Sequence, residues 1–377
     1  MKTILIMAIG FLPNIGGLET HLKDLIDELL VSNWKVIVLT YQPLHTPVLG
    51  KWIEKKNNLT IYRLPSLRGL FYRLLSIPAL EFIFLEPLIF LATPLILLMY
   101  PSIYVINAQG IIAGFSAAFW KKIFRKRYVV SAQSVYHFPK NGLYHRVSGW
   151  IFKSADKIIA ISNQTKKDIQ SLRIDSDKIQ VYTNWENNDF FVPYDKIKAK
   201  RKVAFDNKFV VSFFGRLVEE KGVKVLLDAI KLTSKNITFA IYGEGPLVNL
   251  VEQAVEENKN VIYMKIVPPE DLPLHYSAAD LIIMPSLHEE GFGRVAAGAL
   301  FCGTPVIASN KGALPDVVND SVGKIINPTS SEIARVINSY FSNRKALKKS
   351  AENARKYALS KFSRRNADDI ISTFENL

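Results

Sequence analysis

The feature that most narrows the fold is an alternation. Short, nearly uncharged apolar runs are each followed by a loop and then by a stretch of helical spacing. Residues 2–9, 34–41, 102–107, 127–132, 157–161 and 180–183 form one such series, and 209–213, 238–242, 261–264, 281–284, 305–308 and 324–326 form a second. Runs that are apolar at every position suit strands buried on both faces, and a parallel sheet buries both because its crossover helices cover them. Two series of this kind read as two α/β domains, each a doubly wound parallel sheet. A chain of 377 residues is too long for one ordinary core and comfortable for two. Between the series, residues 192–208 are polar, with Pro193 and the run Asp195-Lys196-Ile197-Lys198-Ala199-Lys200-Arg201-Lys202. This stretch reads as the linker, which sets a first domain at 1–195 and a second at 205–360. A last helical stretch begins near Ser363 and occupies 361–377.

Composition excludes several classes. Hydrophobic residues make up 49% of the chain, too many for a disordered protein. Cys302 is the single cysteine, so there is no intrachain disulfide and no cysteine-built zinc site, and a reducing, cytoplasmic compartment fits. The apolar first ten residues are too short for a secretory leader with its cleavage site and read as a first buried strand. The net charge of +14 is uneven: residues 1–200 hold 25 Lys and Arg against 14 Asp and Glu, and the remainder hold 23 against 20. A one-sided basic half suits an anionic surface. The cluster Lys121-Lys122-Ile123-Phe124-Arg125-Lys126-Arg127 has no recognition motif beside it, which argues against a nucleic-acid partner. It follows a nearly all-apolar segment, 74–100, preceded by Arg63, Arg68 and Arg73. Glu81, Glu86 and three prolines interrupt that segment, so it is a poor bilayer span and reads either as a buried helix pair or as a surface that dips into lipid. The basic neighbours favour the lipid surface, with the chain peripheral on an anionic membrane.

The chemistry-bearing residues sit in loops after strands. Pro13-Asn14-Ile15-Gly16-Gly17-Leu18-Glu19 follows the first strand and opens a helix. Gly16 and Gly17 either let the backbone approach an anion or simply make a tight turn. In Phe214-Gly215-Arg216-Leu217-Val218-Glu219-Glu220-Lys221-Gly222, the cations Arg216 and Lys221 follow Gly215 at the carboxyl edge of the second sheet. Such folds bind ligands there, and a guanidinium with an ammonium suits a diphosphate. Tyr242-Gly243-Glu244-Gly245-Pro246 is a second backbone cradle or a structural turn. The most specific run is Ser286-Leu287-His288-Glu289-Glu290-Gly291-Phe292-Gly293-Arg294, followed by Cys302-Gly303-Thr304-Pro305-Val306-Ile307-Ala308-Ser309. Glu290 can accept from sugar hydroxyls, and the amides of Gly291, Phe292, Gly293 and Arg294 lead into a helix able to hold a sugar and its phosphates.

Together with Leu272-Pro273-Leu274-His275-Tyr276-Ser277-Ala278-Ala279-Asp280, and in this order, these motifs resemble glycosyltransferase family 4 across essentially the whole chain. The resemblance implies the GT-B fold: two facing Rossmann-like domains, with the C-terminal helix crossing back to the first. It implies a hexosyltransferase that retains anomeric configuration, needs no metal or other cofactor, and uses a nucleotide-sugar donor as substrate. The acceptor is a glycan or lipid-linked molecule, commonly met at the cytoplasmic membrane face. Arg216 and Lys221 would hold the donor diphosphate, Glu290 the donor sugar, and the loop near Ile266 and Val267 the base. Three positions depart from the family. Gly298 stands where a second Glu grips the ribose, Gln133 replaces an acceptor-side His, and Asn184-Trp185-Glu186-Asn187 replaces Asn-Gly-Val-Asp. Trp185 and Glu186 are then expected to shape the acceptor site.

The mechanism this implies has no protein nucleophile. The acceptor hydroxyl attacks from the face the diphosphate leaves, a leaving phosphate oxygen takes the proton, and Arg216 and Lys221 stabilise the growing charge. Gln133 cannot act as a base but can position a hydroxyl; His137, four residues on, is a nearby titratable substitute. Two rival readings remain open, a catalytically degenerate donor-binding subunit and a sugar-nucleotide epimerase on the same fold. At Gly298, a glutamate is expected to stabilise the helix and to tighten nucleotide binding roughly tenfold, about 1.4 kcal/mol.

Overall fold

The structure is a computed structural model that describes residues 1–14, 16–44, 48–66, 78–134, 136 and 138–377, the side chains of Pro78 and Ala79 excepted. Ile15, Arg68, Arg73, His137 and the first residues of the apolar segment lie outside the described residues. The chain divides into two compact units, Met1–Asn184 with Ala367–Leu377, and Trp185–Asn366. The division falls upstream of the expected linker. Residues 192–208 belong to the second unit because Asp195 caps a helix there, Lys196–Lys202, and because Ala199 and Phe205 are buried.

The first unit is built on a sheet of β1 (Thr3–Met7), β2 (Lys35–Tyr41), β3 (Ile53–Lys56), β4 (Leu59–Leu64), β5 (Ile103–Gln109), β6 (Arg127–Ala132), β7 (Lys157–Ala160) and β8 (Ile179–Val181). Its order is β3-β4-β2-β1-β5-β6-β7-β8. Only β3 runs antiparallel, pairing with β4 through an Asn57-Asn58 turn in which Asn57 takes φ 48°. The strand order reverses direction between β1 and β5, which opens a crevice at their carboxyl ends. The helix Arg365–Glu375 returns to this unit. Phe374 is fully buried with its ring 6.5 Å from that of Trp34, and the Thr373 hydroxyl donates to Gln180 at 2.9 Å.

The apolar segment is one helix, Pro78–Met99, and not a pair, even though it contains Pro87 and Pro94. Its inner stripe, Leu85, Ile89, Ile96 and Leu97, joins the core of the first unit. Phe82 and Phe90 pack on Phe115, Phe119 and Trp120 of the helix Gly110–Phe124, and the Trp120 indole donates to the Phe90 carbonyl at 2.9 Å. The outer stripe, Phe84, Leu88, Leu91, Leu95 and Leu98, is exposed. That spacing of four and three residues keeps one face of a helix.

The second unit has a six-stranded parallel sheet of β9 (Phe209–Phe214), β10 (Ile237–Tyr242), β11 (Val261–Lys265), β12 (Leu281–Met284), β13 (Val306–Ser309) and β14 (Gly323–Ile326). Its order is β11-β10-β9-β12-β13-β14, with the reversal between β9 and β12. All six residues of β9 and of β10 are buried, as central strands covered on both faces require.

Candidate functional site

The reversal in the second sheet places two loops side by side at its carboxyl edge, 215–222 after β9 and 285–293 after β12. Backbone bonds stitch them together, because the Glu220 carbonyl accepts from the amides of Leu287 at 2.8 Å and His288 at 3.3 Å. Across this seam Lys221 Nζ meets Glu290 Oε1 at 2.6 Å. The Ser286 hydroxyl donates to the same oxygen at 2.5 Å, and His288 Nε2 lies 3.8 Å from Oε2. Burial alone would raise the Glu290 carboxyl, but the charge and hydrogen bond of Lys221, the bond from Ser286 and the nearby His288 outweigh it and hold it below its ordinary value. Glu290 is therefore an ionised acceptor held from several sides. Its main-chain carbonyl is fixed by the Ala313 amide at 2.8 Å, and the neighbouring Glu289 carboxylate takes the Gly312 amide.

Arg216 projects from the first of these loops, exposed and without an ion-pair partner among the described residues. Gly291 continues the second loop. Phe292 is buried with its ring 5.7 Å from that of Phe362, and Gly293 precedes the helix Arg294–Phe301 without a side-chain cap on the first-turn amides. Gly215 and Gly243 touch for a structural reason. Gly243 has φ +131°, and a side chain on it would run into the Gly215 carbonyl. The two loops zip together, Gly215 N to the Tyr242 carbonyl at 3.1 Å and Leu217 N to the Glu244 carbonyl at 2.8 Å, so close backbone approach explains Gly243 without a ligand. Ile266 and Val267 follow edge strand β11. Ile266 is exposed, and the amide of Gly243 reaches the carbonyl of the preceding Lys265 at 2.8 Å.

The Arg294 side chain pairs with Glu186, at 2.8 Å from a carboxylate only 1% exposed, which leaves the expectation for its main-chain amide untouched. Trp185 and Glu186 open the second unit and are buried, Glu186 paired with Arg294 of the same unit. Gly298 lies on the buried face of its helix, where an added Cβ would meet ring carbons of Tyr276 at 3.0 Å and Phe191 at 3.1 Å. A glutamate at that position needs the two rings to give way, which opposes the expected gain. In the first unit, the Glu19 carboxylate fills the space beside Gly10 and Gly16, so the helix start after Gly16 and Gly17 faces an anion of its own.

Gln133 lies in the first unit, just past β6. Its Nε2 donates to the Tyr182 hydroxyl at 2.9 Å, and that hydroxyl lies 3.2 Å from Nε2 of the buried His21. Sequence reasoning missed Ser286, Tyr182 and His21 as supports. Ser286 stands four residues before Glu290 and was readable as a neighbour, whereas His21 and Tyr182 are 161 positions apart and only the fold joins them.

Comparison with known proteins agrees with this architecture. The family model "Glycosyltransferase Family 4" matches residues 15–185, and "Glycosyl transferases group 1" matches 195–357. An uncharacterized 41.2 kDa protein in the cps region of Klebsiella pneumoniae is 30% identical over 294 residues, 74% of this chain and 79% of that one. An uncharacterized glycosyltransferase of Methanocaldococcus jannaschii is 27% identical over 335 residues, 82% of this chain and 81% of that one. Among solved structures, Anabaena Alr3699/HepE in complex with UDP superposes with a TM-score of 0.81 at 21% identity, covering 100% of both chains. With paired family models across both sheets and a Rossmann-like sheet in each unit, as in GT-B glycosyltransferases, the chain belongs to glycosyltransferase family 4 and is a glycosyltransferase.

Proposed function

We propose that the chain is a retaining, metal-independent hexosyltransferase that moves a sugar from a nucleoside diphosphate donor to a glycan or lipid-linked acceptor, on the cytoplasmic face of a membrane. The observation that carries this reading is the Lys221–Glu290 pair beside the exposed Arg216, at the point where the second sheet reverses. An ammonium has three donors and Glu290 takes one, which leaves two for diphosphate oxygens. Glu290 Oε2 is left to accept from a sugar hydroxyl. As the bond from anomeric carbon to phosphate oxygen breaks, its electron pair goes to the diphosphate, and Arg216 and Lys221 stabilise that charge as a bound metal otherwise would. The acceptor hydroxyl bonds to the anomeric carbon from the same face and passes its proton to the departing phosphate oxygen.

The membrane part of the reading rests on the exposed stripe of Pro78–Met99, continued by Phe119 and Ile123, with exposed Lys122 and Arg125 beside it. Not every nearby cation serves. Arg63 is buried and bonded to the carbonyls of Leu12 and Lys51 and to Glu54, Lys121 pairs with Asp156 at 2.8 Å, and Lys126 holds the carbonyls of Pro101 and Ile103.

The test is a thermal-shift panel of nucleoside diphosphate sugars on the pure full chain, then turnover of the best donor with and without excess chelator. A single donor class raising the melting temperature, chelator-resistant turnover, and a product with the donor's anomeric configuration are expected. A strict magnesium requirement or an inverted product overturns the corresponding part. Binding without turnover favours the degenerate subunit, and acceptor-independent conversion of the donor favours the epimerase.

A further inference from the structure

Leading into β3, the chain presents Val48, Leu49, Trp52 and Ile53, each more than half exposed. Single exposed apolar residues are ordinary, but four within six positions, a tryptophan among them, form a patch that marks a contact surface. The loop that carries them is held firmly. Gln42, itself 2% exposed, clamps Gly50 twice: its Nε2 donates to the Gly50 carbonyl at 2.9 Å, and its Oε1 accepts from the Gly50 amide at 3.0 Å. Arg63, 6% exposed, donates to the Lys51 carbonyl at 2.8 Å, to the Leu12 carbonyl at 2.8 Å and to Glu54 at 3.1 Å. Gly50 lets that guanidinium in, since an added Cβ would stand 2.5 Å from Arg63 Nε. Two buried polar side chains therefore fix a loop whose apolar side chains stand in water. A partner meeting this patch finds it already ordered, so little conformational entropy is lost on contact.

The charge around the patch has one sign. Residues 48–56 hold Lys51, Lys55 and Lys56, all exposed and without an ion-pair partner among the described residues, and their one acid, Glu54, is taken by Arg63. A protein strand added to the open edge of β3 would have to lie beside Lys55 and Lys56, and charged edge strands resist such pairing. An anionic lipid surface asks for no strand pairing. Indole and aliphatic side chains enter the boundary between headgroups and tails, while lysines keep their ammonium groups among the phosphates. The placement of the patch agrees. In the antiparallel register Ile53 stands opposite Tyr62, and such partners project to the same side of a sheet. Tyr62 packs on the core that also takes Leu85, Ile89, Ile96 and Leu97 of the helix Pro78–Met99. Ile53 is therefore on the sheet face that carries the helix.

We propose that residues 48–56 are a second lipid contact of the first unit, in which Leu49, Trp52 and Ile53 enter an anionic bilayer surface and Lys51, Lys55 and Lys56 meet its phosphates. With the exposed stripe of the helix, this makes a two-point attachment that fixes how the first unit stands on the surface. The proposal rests on the reading of the chain as membrane-associated and adds a contact which that reading does not use.

The experiment labels the full chain through Leu49→Cys with an environment-sensitive thiol dye; the native thiol, Cys302, is buried. Vesicles are made of phosphatidylcholine alone or with added phosphatidylglycerol. On the anionic vesicles the dye should shift to the blue and be quenched by nitroxides carried on the lipid tails. Leu49→Ser with Trp52→Ser should weaken sedimentation with those vesicles by roughly tenfold or more, as loss of two apolar side chains from the boundary gives. Glutamine at Lys51, Lys55 and Lys56 should weaken it about fivefold for each charge removed. Melting temperatures should stay close to the parent's, because these side chains are mostly in water. Should the serine pair lower the melting temperature, the glutamine variant carries the test, since its three side chains are all exposed. Vesicle binding with an unshifted dye, or binding unchanged in these variants, overturns the proposal and leaves the helix stripe as the lipid contact. A blue shift that grows with protein concentration in the absence of lipid also overturns it, and assigns the patch to a second copy of the chain. Failure to bind any vesicle removes the membrane reading, and the proposal with it.

Discussion

Lys221 and Glu290 are 69 positions apart and meet at 2.6 Å, so each is the other's counter-charge. Lys221→Ala should lower turnover at least tenfold, as loss of a charge-assisted contact worth about 1.5–3 kcal/mol would, and should also lower the melting temperature, because the buried Glu290 keeps its charge without its cation. Arg216→Ala should give the same loss of turnover at an unchanged melting temperature, since that side chain is exposed. Near-normal turnover in both variants would remove the diphosphate assignment. The pH dependence follows from Glu290. Its carboxyl is held below the ordinary 4.5, so its contribution to stability is complete above that value and is lost as pH falls through the lower folded value. Acid titration of melting temperature should be shallower in Glu290→Gln; identical profiles would mean the pair does not set acid stability. At Gly298, the helix gain of about 1 kcal/mol from a Cβ is set against overpacking two aromatic rings, which costs about 1–3 kcal/mol. Gly298→Ala and, more so, Gly298→Glu should lower the melting temperature, and a rise with glutamate would show the rings yielding easily. Positions of Arg216, Lys221 and Glu290 were legible because each stands in a loop after an apolar run. The commitment of Arg294 to Glu186 was not, because a partner 108 positions away is set by packing.

At the scale of elements, most strands were legible from composition alone, since a run apolar on both faces has few other places to go. The hairpin β3–β4 was not. Its strands are short and β3 is mostly exposed, with a charged pattern, Ile53-Glu54-Lys55-Lys56, that suits a sheet edge and gives no apolar signal. The helix Lys196–Lys202 was hidden for the same reason, its lysine-rich sequence reading as linker while its cap and the buried Ala199 tie it down. The helix Pro78–Met99 was visible, but its division into a buried and an exposed stripe required the sheet beneath it. That division carries a prediction. The pure chain should sediment with vesicles containing anionic lipid and be partly released as salt rises, because each nearby Lys or Arg contributes about 1 kcal/mol. Replacing Lys122 and Arg125 with glutamine should weaken the association without touching Lys121, Lys126 and Arg127, which are engaged with Asp156, main-chain carbonyls and Tyr104. Absence of sedimentation at low salt would mean the exposed stripe meets something other than lipid.

At the scale of the whole molecule, the second unit is one continuous stretch of chain, and the first is assembled from two. The doubled alternation foretold two sheets, and the family resemblance a returning C-terminal helix, but the point of division at 184 lay where the sequence shows no change of composition. Phe374, fully buried beside Trp34, fastens the second stretch to the first. Phe374→Ala should cost about 3–5 kcal/mol, and the loss of hydrogen-exchange protection should be confined to the first unit. Uniform loss across both units would show that they do not unfold separately. The discontinuity also sets an order of events during synthesis. Domains ordinarily fold in the order in which they leave the ribosome. Here the unit that emerges first lacks Ala367, Ile370, Ile371, Thr373 and Phe374, the buried residues of its returning helix, until the whole of the second unit has been made. The unit that emerges second can complete its core while the first is still open.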